Sequence, residues 1–375
     1  MPTCSQSMQL ALDTLHREKT KGIPTGLVHV MEHGMIERLA CAEPGEYAKD
    51  PYGVYMRMLE QIGVNMVDQM LAENPLSMGD KGYEGGGGGA TTGGIPELDG
   101  MVIDSPEACV AHLERFAFPL LEKQIRCFDE RQVIQDVVTL ESQAQRLLGP
   151  DILKAGYDHL LFPQLAYYRY GYESFLMAYV LYPEVMDRLF GLQAEYAVLH
   201  NRAVVKAFQW AGLPLYHRLD HDMADSRGLL VSPASLERSW AGHFARSIKP
   251  AVDAGFTLLW HCDGNLMDLF PLLLESGVNG FQGFQYEDGM DYVKICRMKD
   301  REGHSLVIQA GVSVTRELPL GKPEDVRRQM RFLVENGPET GLFLSMSSSC
   351  APGTPWENIR TAVDGFNHYR KVGRG

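Results

Sequence analysis

The sequence predicts a single closed (β/α)8 barrel with an N-terminal helical extension; an open doubly wound sheet is the alternative. Three observations carry this. In the second half, five apolar strand-type runs are each followed by a helical segment, the pattern of a parallel sheet. No linker or shift in composition interrupts the 375 residues, so residues 1–375 read as one domain. Nearly every run in this half ends in side chains able to do chemistry, and barrel active sites lie at the C-terminal ends of the strands. No GxGxxG follows a strand, which weakens the dinucleotide-binding form of the open sheet.

The elements follow in order. Residues 5–21 read as a surface helix. Residues 26–31 form a short strand ending in the polar tip Glu32-His33-Gly34. Residues 52–62 are an amphipathic helix and 63–67 a strand. A run of glycines at 85–89 lies inside the segment 75–100, read as a mobile glycine-rich loop or an active-site cover. It lacks GxxxxGK[ST] and any internal lysine, so a phosphate loop is not indicated. Residues 105–149 are helical, capped at Ser105-Pro106-Glu107. Residues 161–182 are rich in tyrosine, and Pro183 opens a long helix to about Gly212. The regular part then runs strand 213–219, helix 232–254, strand 256–261, helix 266–276, strand 278–284, a helix from 290, strand 306–310, helix 323–336, strand 342–346 and a final helix from 355.

Composition excludes several functions. Apolar residues make up 45% and charged residues 22%, ordinary for a globular protein. The net charge of −13 argues against nucleic acid, anionic membrane surfaces and polyanionic substrates. No run approaches the roughly 18 apolar residues of a membrane span. Residues 1–21 lack the apolar segment of a secretory signal. Seven scattered cysteines without CxxC spacing fit reduced thiols in the cytoplasm. The expected partner is a small molecule; a homodimer is compatible with the sequence.

The strand ends supply the candidate residues. Alternation in an extended segment turns His261 and Asp263 the same way and Cys262 the opposite way. Around them stand Glu32, His33, His221, Asp222, Gln285 and Ser348. His217 alternates in phase with Leu215 and Leu219 and reads as a core histidine, kept as a substrate-binding candidate with Tyr170 and Tyr172. Catalysis is assigned to His261, Asp263, Asp222 and His221.

Five motifs in fixed order resemble the uroporphyrinogen decarboxylase superfamily. They are Gly228-Leu229-Leu230-Val231-Ser232-Pro233 before a long helix, His261-Cys262-Asp263-Gly264-Asn265, Gly289-Met290-Asp291, Gly311-Val312 with Leu318-Pro319-Leu320-Gly321, and Ala351-Pro352-Gly353-Thr354-Pro355-Trp356. The match covers about residue 160 to the C-terminus. It implies one TIM-type barrel. The superfamily's decarboxylases carry an arginine-bearing motif after the first strand. Here that place reads Met31-Glu32-His33-Gly34-Met35-Ile36-Glu37-Arg38, which is too acidic for a porphyrinogen's carboxylates. Its corrinoid-dependent methyltransferases hold zinc with a histidine and two cysteines. By position these become His261, Asp263 and Ser348, so both thiolates are missing. The resemblance therefore implies a harder site for zinc or another divalent metal, with His261, Asp263 and a third ligand such as His221, Asp222, Glu32 or His33.

Three functions follow. The first is a metal-dependent methyltransferase or demethylase, moving a methyl group between a small O- or N-methylated compound and a corrinoid (cobalamin) on a partner protein. The second is a metal-free decarboxylase (lyase) of a smaller carboxylated molecule. The third is a non-catalytic barrel that binds a ligand.

Overall fold

The computed structural model describes residues 5–26, 28–72 and 94–374. The glycine run lies outside the described residues. The central feature is a parallel sheet. Its strands are β1 (Met66–Val67), β2 (Leu153–Lys154), β3 (Gly156–Tyr157), β4 (Tyr216–Asp220), β5 (Thr257–His261), β6 (Gly280–Gln282), β7 (Val307–Val312) and β8 (Leu342–Met346). Six of them form one continuous sheet in the order β8-β7-β6-β5-β4-β3, and β1 pairs with β2. Among the described residues the continuous ladder thus extends over six strands. Around the first expected strand, 26–31, the described residues form two parallel bridges, Thr25 with Leu344 and Val30 with Cys350. Leu344 donates its amide to Pro24, and Asn65 donates to Thr25.

Register explains which residues face where. One row across the sheet reads Leu219, Trp260, Phe281, Ile308, Leu342. All five are buried in the larger apolar core, the face covered by helices. The row one residue further along β4 to β7 reads Asp220, His261, Gln282, Gln309. Paired residues share a face, and successive residues alternate. The inner face is therefore polar at the strand ends. At the opposite end it is apolar: Met66, Leu153, Ala155, Tyr216, Leu259, Val307 and Phe343 form a second cluster.

That end is closed by α1 (Gln6–Leu15), which Ser5 caps by accepting the Met8 amide at 3.2 Å. Met8, Ala11 and Leu15 recur on one helical face and join this cluster. The helix stops at Leu15, short of the expected residue 21. The expected helix over 105–149 is broken into Pro106–His112, a wide turn at Leu113–Ala117, Phe118–Arg126, and α2 (Glu130–Leu148), whose Asp129 cap accepts two amides. Two further helices are α3 (Tyr172–Leu181) and α4 (Pro183–Ala211). Pro183 stands in the first turn of α4 and left-handed Gly212 ends it.

A buried ion cluster ties α2 to the sheet. Lys154 Nζ donates to both carboxylate oxygens of Glu141 at 2.9 and 3.1 Å. His159 Nε2 lies 2.8 Å from the same carboxylate. Burial pushes the Glu141 pKa up, but His159 and Lys154 outweigh it and hold the carboxyl below its ordinary range. A depressed carboxylate contributes stability above its unfolded pKa and loses it as pH falls through the folded value. Glu141→Gln is expected to cost about 1.5–3 kcal/mol at neutral pH. Denaturant titration at falling pH should show the gap to wild type shrinking below the ordinary glutamate range.

Candidate functional site

The polar inner row is organised by Arg218, on β4. It is only 4% exposed. Its Nη1 donates to Asp68 at 3.1 Å and to Gln282 at 3.2 Å, and its Nη2 donates to Asp220 at 3.0 Å. The guanidinium also lies 4.5 Å from the ring centroid of Tyr157, whose hydroxyl donates to Asp220 at 3.2 Å. Burial alone would lower the arginine's pKa, but Asp68 and Asp220 outweigh it and push it up. Both terminal nitrogens of Arg218 are thus given to groups of its own chain, while its Nε is buried without a hydrogen-bond partner among the described residues.

Beyond this layer stand His261 and Asp263. The Asp263 amide donates to Asp222 Oδ1 at 2.9 Å, and Ser348 hydrogen-bonds the Asp263 carboxylate. Burial raises the Asp263 pKa; the neighbouring His261 opposes this, while Asp222 and Asp220 add to the rise. His261 Nδ1 and Asp263 Oδ1 are buried without a partner among the described residues. Other buried atoms share this, among them Tyr216 Oη, Trp260 Nε1 and both amide atoms of Gln309; what sets this pair apart is an imidazole and a carboxyl close enough to interact. Gly283 makes room for the histidine: it has φ 81°, and a Cβ there would stand 2.7 Å from His261 Nδ1. Gln285 accepts the Gly264 amide at 2.8 Å and anchors the loop after β5.

Beside these residues opens a cleft of about 1260 Å3. Tyr157, Tyr167, Tyr168, Tyr172, Asp220, His221 and Asp222 line it. His261 and Asp263 are not among the lining residues; Asp222 is the link between the pair and the cleft. A smaller cavity of about 320 Å3 shares Tyr157 and Asp220 with the cleft and reaches Arg218. Tyr167 donates to the Asp222 carbonyl at 2.5 Å and stacks on Tyr172 and on His221.

Several expected residues stand elsewhere. His217 is fully buried on the outer face, where its Nε2 accepts the amides of His159 and Leu160. Its pKa is driven far down by burial, so it is a core histidine and not a substrate contact. Tyr170 pairs with His112 at 3.0 Å within the helical extension. Glu32 accepts the Gly353 amide at 2.8 Å and joins the loops after the first and last strand positions. His33 packs against Tyr47 with ring centroids 4.6 Å apart and the planes tilted by 53°. Neither lines the cleft.

The expected metal ligands do not fit a metal centre. Among the described residues, no three His, Cys, Asp or Glu side chains converge as a ligand set. His221 was the expected third ligand, but its Nε2 accepts the Leu165 amide at 2.9 Å. Cys262 faces away from the pair, as alternation requires, and its sulfur accepts the Met223 amide. Burial pushes the thiols of Cys262 and Cys350 up, the latter to about 11, so neither is a thiolate at neutral pH.

Sequence reasoning passed over Arg218, Asp68, Gln282 and Tyr157; Tyr167 and Tyr168 were within the tyrosine-rich stretch but were not singled out from it. The signal for Arg218 was present: Tyr216, Arg218 and Asp220 alternate on one face of β4. Asp68 and Gln282 carried no local signal, because their role comes from partners 150 and 64 residues away.

Comparison with solved structures shows the same fold in a methyltransferase from Methanosarcina mazei. The two chains are 17% identical, the alignment covers 97% of this chain and 98% of that one, and the TM-score is 0.56. A B12-independent methionine synthase from Shewanella sp. W3-18-1, in complex with selenomethionine, superimposes with a TM-score of 0.39 at 13% identity over 64% of this chain and 66% of that one. That superposition is too distant to carry an argument. No family model and no curated protein matches the chain. The likeness to the Methanosarcina enzyme bears on the fold alone.

Proposed function

We propose that this chain is a methyltransferase that moves a methyl group between a small O- or N-methylated compound and a corrinoid carried by a partner protein. The observation that carries the reading is the cleft. At about 1260 Å3 it exceeds the roughly 300–1,000 Å3 that a drug-sized ligand needs, and leaves room for a flat macrocycle to meet a small donor. It opens where strand-end residues supply ionisable groups, the usual position in barrels. In this reading the parallel segment at 24–30 and β1 complete a ring of eight positions around the polar interior. A shared fold with a methyltransferase supports the same reading but does not specify the donor or the acceptor.

The chain's own contribution is position and electrostatics. Arg218 holds Asp220 and Gln282 in place, and Asp222 fixes the loop that bears Asp263. The decarboxylase alternative requires cations turned toward a carboxylate. Arg218 is committed to Asp68 and Asp220, and Arg227, which lines the cleft among several aspartates, is paired with Asp225, so that reading finds no unpaired cation among the lining residues. The test is anaerobic incubation of the protein with cob(I)alamin and a panel of methylated donors, followed by absorbance. Growth of the methylcobalamin spectrum with at least one donor is the expected result. Release of carbon dioxide from a carboxylated candidate, with no methylcobalamin from any donor, would sink the proposal.

A further inference from the structure

The cleft combines two features that seldom occur together by chance. Its walls carry several tyrosine rings, and its charge is negative. Tyr167 stacks on Tyr172 with centroids 4.4 Å apart and on His221 at 6.0 Å, and Tyr168 meets Tyr167 edge-on at 82°. The aspartates at its wall include Asp222 and Asp268, neither of which forms an ion pair among the described residues.

The positive groups nearby are all cancelled. Arg227 pairs with Asp225 at 3.0 Å and is 89% exposed at its side chain. Arg218 is held by Asp68 and Asp220. His221 is 6% exposed; burial lowers its pKa to about 4, so it lines the cleft as a neutral ring. The Leu165 amide occupies its Nε2, which leaves the proton on Nδ1.

Aromatic faces beside unpaired carboxylates attract an organic cation, because the ring quadrupole and the carboxylate both favour positive charge. A neutral ether gains nothing from either. We infer that the stacked tyrosines and unpaired aspartates of this cleft recognise an N-methylated ammonium ion, so that the methyl donor is a cationic amine and not a methoxy compound. The assignment of this ion as methyl donor rests on the methyl-transfer reading; its recognition by the cleft does not. The chemistry is consistent with a site lacking a three-ligand metal set. The reduced cobalt of the corrinoid supplies the electron pair for the new carbon–cobalt bond. The methyl carbon–nitrogen bond breaks with its pair remaining on nitrogen, and a neutral amine leaves. An ammonium needs neither a proton nor a metal at the leaving atom, whereas an ether oxygen does.

The experiment is calorimetric titration of the full chain with choline, with its neutral carbon isostere 3,3-dimethylbutan-1-ol, and with 4-methoxyphenol. Choline should bind at least tenfold more tightly than the isostere. Tyr172→Leu should weaken choline binding tenfold or more. Tyr168→Leu and Asp268→Asn, both at exposed positions where folding is not at stake, should weaken it several-fold. Equal binding of the isostere, or binding of 4-methoxyphenol with none of choline, would overturn the inference. A parallel cob(I)alamin assay separates the two readings. Choline bound with no methyl passed to cobalt supports the cation site and removes methyl transfer. Demethylation of 4-methoxyphenol without choline binding keeps methyl transfer and removes the cation site.

Discussion

Replacing Arg218 with methionine is expected to cost about 3–5 kcal/mol of folding free energy. The side chain is similar in length, so packing is largely retained and the loss is electrostatic. Asp68, only 2% exposed, would be left as a buried carboxylate without its partner, and Asp220 would lose one of its two donors. Unpaired buried charge is the costly case, far more so than the absence of the whole pair. Urea denaturation of Arg218→Met and of the double variant Arg218→Met with Asp68→Leu measures this. The double variant should recover part of the loss, because the orphaned charge is gone. Arg218→Lys should fall between, since an ammonium keeps the charge but cannot reproduce the fork to Asp68, Gln282 and Asp220. A loss below about 1 kcal/mol for Arg218→Met would mean that this network does not organise the polar inner face of the sheet.

Removing Asp263 is expected to have the largest effect on activity. Asp263→Ala should lower methyl transfer by about 10²–10³, the range for losing one preorganised electrostatic group at a reacting centre. His261→Ala should act similarly, because the two buried unpartnered atoms belong to one unit, and their effects should not add. The sign of the pH effect is fixed by the Asp263 environment. Burial raises its pKa, with Asp222 and Asp220 adding to the rise. A raised carboxyl contributes stability below its unfolded pKa and loses it as pH rises through the folded value. Asp263→Asn should therefore melt higher than wild type at neutral pH while losing activity. The acid limb of the wild-type pH–rate profile should lie above the ordinary aspartate range and should vanish in Asp263→Asn. A variant both less stable and fully active would contradict this role.

The parallel sheet and the positions of its later strands were legible because apolar runs of period two are a local property. Leu258, Trp260 and Cys262 face the helices whatever the rest of the chain does, and His261 and Asp263 must then face inward. The opposed direction of Cys262 was readable for the same reason. Helix boundaries were less so. The chain over 105–149 has helical periodicity throughout, yet Cys127 to Asp129 break it because Asp129 caps a new start.

Residue roles that depend on distant partners were not readable. His221 looked like a ligand beside Asp222, but the Leu165 amide, 56 positions away, takes its nitrogen. Tyr170 and Tyr172 were equivalent in sequence, yet one packs on His112 and the other lines the cleft.

What the sequence by itself determined is the alternation: which side chain of each strand looks inward, and that the inner ones turn polar toward the strand ends. What only the tertiary structure decided is what those side chains do there. Register brought Asp220, His261, Gln282 and Gln309 into one row. Pairing then committed Arg218 to its own carboxylates and left Asp222 and Asp268 without an ion pair among the described residues. The physical reason is that face is set by the residue's own backbone, whereas charge, protonation and free valence are set by whatever the fold brings within hydrogen-bond reach.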